Sequence, residues 1–122
     1  MEWTIVNYDS LMDNIKRIHF IGIGGSGMCP LAEILHHEGY ELSGSDMNEG
    51  ETLDRIKGYG IPVFMGHAAE NIKGAELVVY SAAVKETNPE RQAAKELGIP
   101  CIERSVMLGI VTRRYRIKAA IS

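Results

Sequence analysis

The apolar positions of the chain fall into short blocks of two kinds that alternate along the sequence. Blocks of the first kind are rich in β-forming residues and bounded by glycine or proline: "RIHFIGIG" (residues 17–24), "ELSGSD" (41–46), "IPVFMG" (61–66), "ELVVYSAAV" (76–84) and "IPCIE" (99–103). They read as five short strands, and the first and fourth carry the near-continuous apolar run of a strand buried on both faces. Pro62 stands at the start of the third, where a ladder donor can be spared.

Blocks of the second kind carry apolar residues at helical spacing. In "SGMCPLAEILHHEGY" (26–40) Met28, Leu31, Ala32 and Leu35 share one face, Pro30 lies in the first turn, and Gly39 sits where the helix stops. "EGETLDRIKGYG" (49–60) predicts a second helix closing at Gly58 or Gly60. "NPERQAAKELG" (88–98) predicts a third, with Asn88 as cap, Pro89 at its first position, and Gly98 beyond its end. "SVMLGIVTRRY" (105–115) is a fourth, with Val106, Ile110 and Val111 as its apolar side. "HAAENIKGA" (67–75) reads as a loop or one helical turn, and "RIKAAIS" (116–122) as a strand that simply stops. Residues 1–16 read as a leader containing a short helix from Asp9, with Asp9 or Ser10 as its cap; Trp3 and Tyr8 are its aromatic residues.

Strand and helix alternate every 20 to 25 residues or so, the signature of βαβ units. The expected fold class is therefore α/β: a Rossmann-like open parallel sheet of about five strands with helices on both faces, joined by right-handed crossovers.

Composition adds exclusions. The 122 residues suit one domain, and a net charge of −3 gives no footprint for nucleic acid or an anionic membrane. The run Arg113, Arg114, Arg116, Lys118 reads as a solvated helix end. Cys29 and Cys101 have no metal-ligand spacing and read as reduced thiols, Cys29 as a small packed residue. No stretch has the form of a signal peptide, and no apolar run approaches the roughly 18 residues that span a bilayer, so the cytoplasm is the expected location.

The chemistry concentrates in "HFIGIGGSGM", where four glycines occur within six residues. Gly22-x-Gly24-x-x-Gly27 follows a strand and opens a helix, the context that a dinucleotide-type fingerprint requires. On that pattern Gly22 permits the turn, Gly24 admits a pyrophosphate to the backbone, and Gly27 lets the helix pack closely. Gly25 adds a fourth flexible position. Ser26 offers a hydroxyl, and the helix N-terminus favours an anion. Asp46 follows Gly27 by 19 residues, at the end of the second strand, where an acid grips a ribose hydroxyl or caps the next helix. The residues by themselves thus predict a nucleotide binder, with NAD(P) the leading ligand and an oxidoreductase or sensor module the corresponding function.

Three longer stretches carry a resemblance: "IHFIGIGGSGMCPLAEILHHEGYELSGSD", "GIPVFMGHAAENI" and "LVVYSAAVKETNPERQAAKELGIPCIERSVML". In this order they resemble the N-terminal domain of the Mur ligases, from about Lys16 to the end of the chain. "SAAVKETNPE" fits the alanine-adding branch of that family better than the recycling ligase that attaches whole peptides. The resemblance implies a domain that binds the UDP part of UDP-N-acetylmuramate. It implies further a central domain that takes ATP and Mg2+ and a C-terminal domain that takes the amino acid, so that the whole ligase joins L-alanine to the muramoyl carboxylate through an acyl phosphate.

Carried over by residue, Gly24, Gly25, Ser26 and Gly27 match the diphosphate loop, and Ser45 and Asp46 match a pair near the uridine. His67, which reads on spacing alone as a turn histidine, matches with Asn71 an H-x-x-x-N element close to the substrate. Ser81, Ala82 and Ala83 match a small-residue turn facing the nucleotide, followed by Asn88; Arg104 matches an arginine opening the helix to the next domain. Ser26 and Ser105 stand where the family often has isoleucine and alanine. The resemblance divides the chain into a leader (1–16), a UDP-sugar-binding domain (17–104) and a connecting helix with the first strand of the ATPase domain (105–122). No G-x-x-x-x-G-K-[ST] loop occurs, so these residues by themselves are expected neither to hold a cofactor nor to catalyse ligation.

Overall fold

A computed structural model describes the backbone of residues 8–121 and the side chains of residues 10–116. Five strands, β1 (Arg17–Ile21), β2 (Glu41–Asp46), β3 (Val63–Met65), β4 (Leu77–Tyr80) and β5 (Cys101–Glu103), form one sheet in the order β3-β2-β1-β4-β5. Every pairing is parallel; Ile21 lies beside Ser45 on one side and Tyr80 on the other. The chain leaves β1 in one direction for β2 and β3 and in the other for β4 and β5. The switch point between β1 and β4 is where open sheets of this kind bind ligands.

Period-two alternation sorts the strand residues between two faces. Ile18, Phe20, Leu42, Leu77 and Val79 point into the larger core, which is covered by α2 (Met28–His37), α3 (Glu51–Gly58) and α5 (Arg104–Ile121). Ile21 and Val78 point to the other face, where Ile72 of a 3₁₀ turn (Ala69–Ile72) and Ala93 and Ala94 of α4 (Pro89–Leu97) complete a smaller core. The 3₁₀ turn is the single helical turn expected at residues 67–75.

Several elements depart from expectation. α1 (Tyr8–Asn14) starts ahead of Asp9, so neither Asp9 nor Ser10 is its cap; Met12 is buried in the larger core, and its carbonyl accepts from the Tyr40 hydroxyl at 2.8 Å. Trp3 and the Tyr8 side chain lie outside the described residues. In α5 Met107 is buried and Val106 is exposed, the reverse of the expected apolar side; Ile110 and Val111 are buried as expected. Residues 116–121 continue α5 instead of forming a strand. A strand needs a neighbour to pair its amides and carbonyls, whereas a helix pairs them internally, and Ala119 and Ala120 favour it.

Asn88 is the cap that the sequence predicts: its Oδ1 accepts from the Glu90 amide at 2.8 Å, Pro89 follows at the first position, and Gly98 closes α4 in the left-handed region at φ 72°. Asn88→Ala is expected to cost about 1 kcal/mol, read as a lowered midpoint in urea at unchanged slope.

Candidate functional site

The glycine turn after β1 hangs on the end of β2. The Gly22 and Ile23 amides both donate to the Ser45 carbonyl, at 2.8 and 3.1 Å. The Gly24 amide donates to Asp46 Oδ2 at 2.9 Å, and the Gly25 amide turns back to the Gly22 carbonyl. Gly22 and Gly27 occupy the left-handed region, φ 79° and 77°, which glycine adopts at little cost. With these amides spent, those of Ser26 and Gly27 donate to no acceptor among the described residues. They lie immediately before α2, where the helix end adds positive potential. Arg104 lies beside them: a Cβ on Gly27 would stand 3.1 Å from its Nη1.

Two glycines therefore do other work than the motif suggests. A Cβ on Gly24 would meet Asp46 and Leu53, so that glycine makes room for the acid that clasps the turn. Gly27 makes room for Arg104, not for the sheet.

An open cleft of about 590 Å³ lies at the carboxyl ends of β1 and β4. Gly22, Gly25, Ser81 and Ala83 line it at the switch point; Asp46 and Asn48 line it from β2, and His67 and Asn88 from the far side. Gly24 opens instead on an adjoining hollow of about 250 Å³ with Asn48, Thr52 and Leu53.

Beneath the cleft floor lies a polar cluster inside the smaller face of the sheet. The Glu90 side chain is wholly buried. Its Oε1 accepts from His19 Nε2 at 2.6 Å and from the Ser45 hydroxyl at 2.7 Å; its Oε2 accepts from Asn71 Nδ2 at 2.9 Å and the Ala68 amide at 3.1 Å. Burial by itself would raise this carboxyl, but the hydrogen bonds from His19, Asn71 and Ser45 outweigh it and hold the pKa down to about 2. His19 Nδ1 meets the Ser43 hydroxyl at 2.7 Å, and Ser45 Oγ meets His67 Nδ1 at 2.9 Å. A buried charge is tolerable only when paired in this way.

Residues 17–116 match a family model described as "Mur ligase family, catalytic domain". The chain belongs to the Mur ligase family. Over 102 residues it is 52% identical to the UDP-N-acetylmuramate–L-alanine ligase of Legionella pneumophila, covering 84% of this chain and 22% of that protein. The crystal structure of a UDP-N-acetylmuramate-alanine ligase from Thermotoga maritima superposes with a TM-score of 0.79 at 33% identity, over 82% of this chain and 23% of the other. A UDP-N-acetylmuramate:L-alanyl-γ-D-glutamyl-meso-diaminopimelate ligase from Neisseria meningitidis gives 0.68 at 32% identity, over 74% and 29%. The chain thus spans about a quarter of the length of these Mur ligases.

Of the residues that the Mur ligase resemblance singled out, Gly25, Asp46, His67, Ser81, Ala83 and Asn88 border the cleft. Ser45 does not: it is wholly buried, and its hydroxyl serves Glu90 and His67. Asn71 also turns inward, its amide divided between Glu90 and the Gly66 carbonyl. Ala82 is exposed outside the cleft lining, and Ser26 is exposed on the loop crest. Glu90 and His19 were missed. The only sequence signal was their polarity at positions where a strand and a helix turn toward the core. Cys29 is buried, and burial pushes its thiol up, against the lowering a helix start can give.

The described residues hold no group of three His, Cys, Asp or Glu side chains able to chelate a metal ion, and the sequence has no phosphate-loop lysine motif. No helix among the described residues is long and apolar enough to cross a membrane.

Proposed function

We propose that this chain binds the UDP part of UDP-N-acetylmuramate and serves as the nucleotide-sugar module of a longer cytoplasmic, ATP-dependent ligase that joins L-alanine to it. The observation that carries the reading is the pair of unspent amides at Ser26 and Gly27, beside the Arg104 guanidinium and directly following Gly25, which lines the cleft at the switch point. Two amides, a helix end and one guanidinium suit a diphosphate. The nucleoside then extends over Asp46, Asn48 and His67. Both Asp46 oxygens already accept a backbone amide, from Gly24 and Asn48, so the acid's first task is to hold the turn. The ATP and Mg2+ sites, and the amino-acid site, belong on this reading to the other domains of the same ligase.

Titration with UDP is expected to shift the Ser26, Gly27 and Asp46 amide resonances, and NAD+ to leave them in place. Arg104→Ala is expected to weaken UDP about tenfold, the loss of roughly 1.4 kcal/mol from one charge-assisted contact, with the fold retained. Shifts with NAD+ and none with UDP would replace this reading with that of a dinucleotide module.

A further inference from the structure

The cluster beneath the cleft dictates where the proton of His67 sits. Ser45 has one hydroxyl proton. Its Oγ lies 2.7 Å from Oε1 of an ionised, wholly buried carboxylate, and two oxygens approach so closely only with a proton between them. That proton therefore points at Glu90, and Ser45 offers only lone pairs to His67 Nδ1 at 2.9 Å. Nδ1 must carry a proton to make this bond, and Glu90 Oε2, 3.4 Å from the same nitrogen, acts in the same sense. A neutral His67 then has its lone pair on Nε2, the reverse of the tautomer that dominates for an imidazole in water. Among the described residues Nε2 takes no protein partner, and the ring borders the cleft beside Asp46 and Asn48.

We propose that Glu90 is a positioning residue: acting through Ser45, it locks His67 in the Nδ1–H form and so presents Nε2 to the cleft as an acceptor for a hydroxyl or N–H of the ligand's nucleoside. The identity of that ligand rests on the function proposed above; the tautomer does not. The donor to Oε2 from the Ala68 amide cannot reverse its polarity. In Glu90→Gln it therefore keeps the new amide's oxygen on its own side and turns the NH₂ toward Ser45 and His19, whose ring proton moves from Nε2 to Nδ1, facing the Ser43 hydroxyl. Ser45 must then send its proton to His67 Nδ1, and His67 moves its own to Nε2. A donor replaces the acceptor in the cleft.

Long-range proton–nitrogen correlation spectra of the histidine-labelled chain, recorded above the ring's titration and assigned with His67→Gln, test this directly. The expected result is a protonated Nδ1 and a bare Nε2 in the unaltered chain, their inversion in Glu90→Gln, and about tenfold weaker UDP binding by that variant. In Asn71→Ala, which removes a donor from the same carboxylate but leaves the Ser45 proton where it is, the tautomer is expected to persist. Protonated Nε2 in the unaltered chain overturns the proposal without any variant having to fold. An uninverted ring in Glu90→Gln overturns the part given to Glu90, and inversion with undiminished UDP binding overturns the part given to Nε2. If the unaltered chain binds no UDP, the proposed function falls and takes the ligand contact with it, while the spectrum still decides the lock.

Discussion

Glu90→Ala is expected to remove about 3–5 kcal/mol of folding free energy, enough to leave much of the chain unfolded at equilibrium. Truncation strands four donors that point at one carboxylate: His19 Nε2, the Ser45 hydroxyl, Asn71 Nδ2 and the Ala68 amide. Strands β1 and β2, the 3₁₀ turn and α4 lose a common anchor, and each buried donor left without an acceptor carries its own desolvation cost. Urea unfolding followed by circular dichroism gives the measurement; a loss below 1 kcal/mol would mean that the cluster is not the anchor of this face. The same carboxylate has a pH signature. Its pKa falls from an ordinary 4.5 to about 2 on folding, so the folded chain releases this proton more readily than the unfolded one. Stability from Glu90 is complete above about pH 4.5 and is lost as the pH falls from there toward 2, on the order of 3 kcal/mol in all. In Glu90→Gln the stability curve is expected to be flatter across that window.

Gly44→Val is expected to cost about 3 kcal/mol and to weaken UDP binding as well. A Cβ at Gly44 would stand 2.6 to 2.8 Å from three carbons of Ile23. One of these is Ile23 Cβ itself, so no rotation of the isoleucine relieves the overlap. Ile23 is fully buried and precedes Gly24, so the backbone that must yield is the turn carrying the Ser26 and Gly27 amides. Overpacking in a dense core usually costs 1–3 kcal/mol, and this site allows less relaxation than most because the moving atoms are close to backbone. Gly58→Ala is the matched control. Nothing stands within 4 Å of its Cβ position, and it lies in the last turn of α3, so a change between zero and a gain of about 0.5 kcal/mol is expected. Equal losses in the two variants, read from urea midpoints, would rule out the Ile23 contact as the cause.

The five strands, the glycine turn and the Asn88 cap were legible because each depends on residues a few positions apart. An alternating pattern, a cap with its proline, and a glycine at a forced left-handed turn announce themselves locally. The exposed Val106 was misjudged because helical spacing gives a face but not the direction in which it is turned. The strand expected at residues 116–122 failed for a related reason: β-forming composition supplies no partner, and helix is the state that pairs its own backbone.

The crevice at the switch point also follows from the order of elements, since parallel crossovers to both sides of β1 leave a gap there. What the residues do inside it does not. His19 and Glu90 lie 71 positions apart, and Ser45 and Glu90 lie 45 apart. Only the sheet, by setting β2 against β1 and packing α4 on β4, β5 and the 3₁₀ turn, turns an acid in a helix's first turn into the buried centre of four hydrogen bonds. The same packing made Gly44 of β2 the closest approach to Ile23 of the turn and gave Gly24 and Gly27 to Asp46 and Arg104. Local propensity and hydrophobic period thus determined the elements and the place of the cleft. Long-range packing alone decided which polar groups face the cleft and which hold the floor, because charge burial and steric exclusion depend on neighbours that a linear pattern does not name.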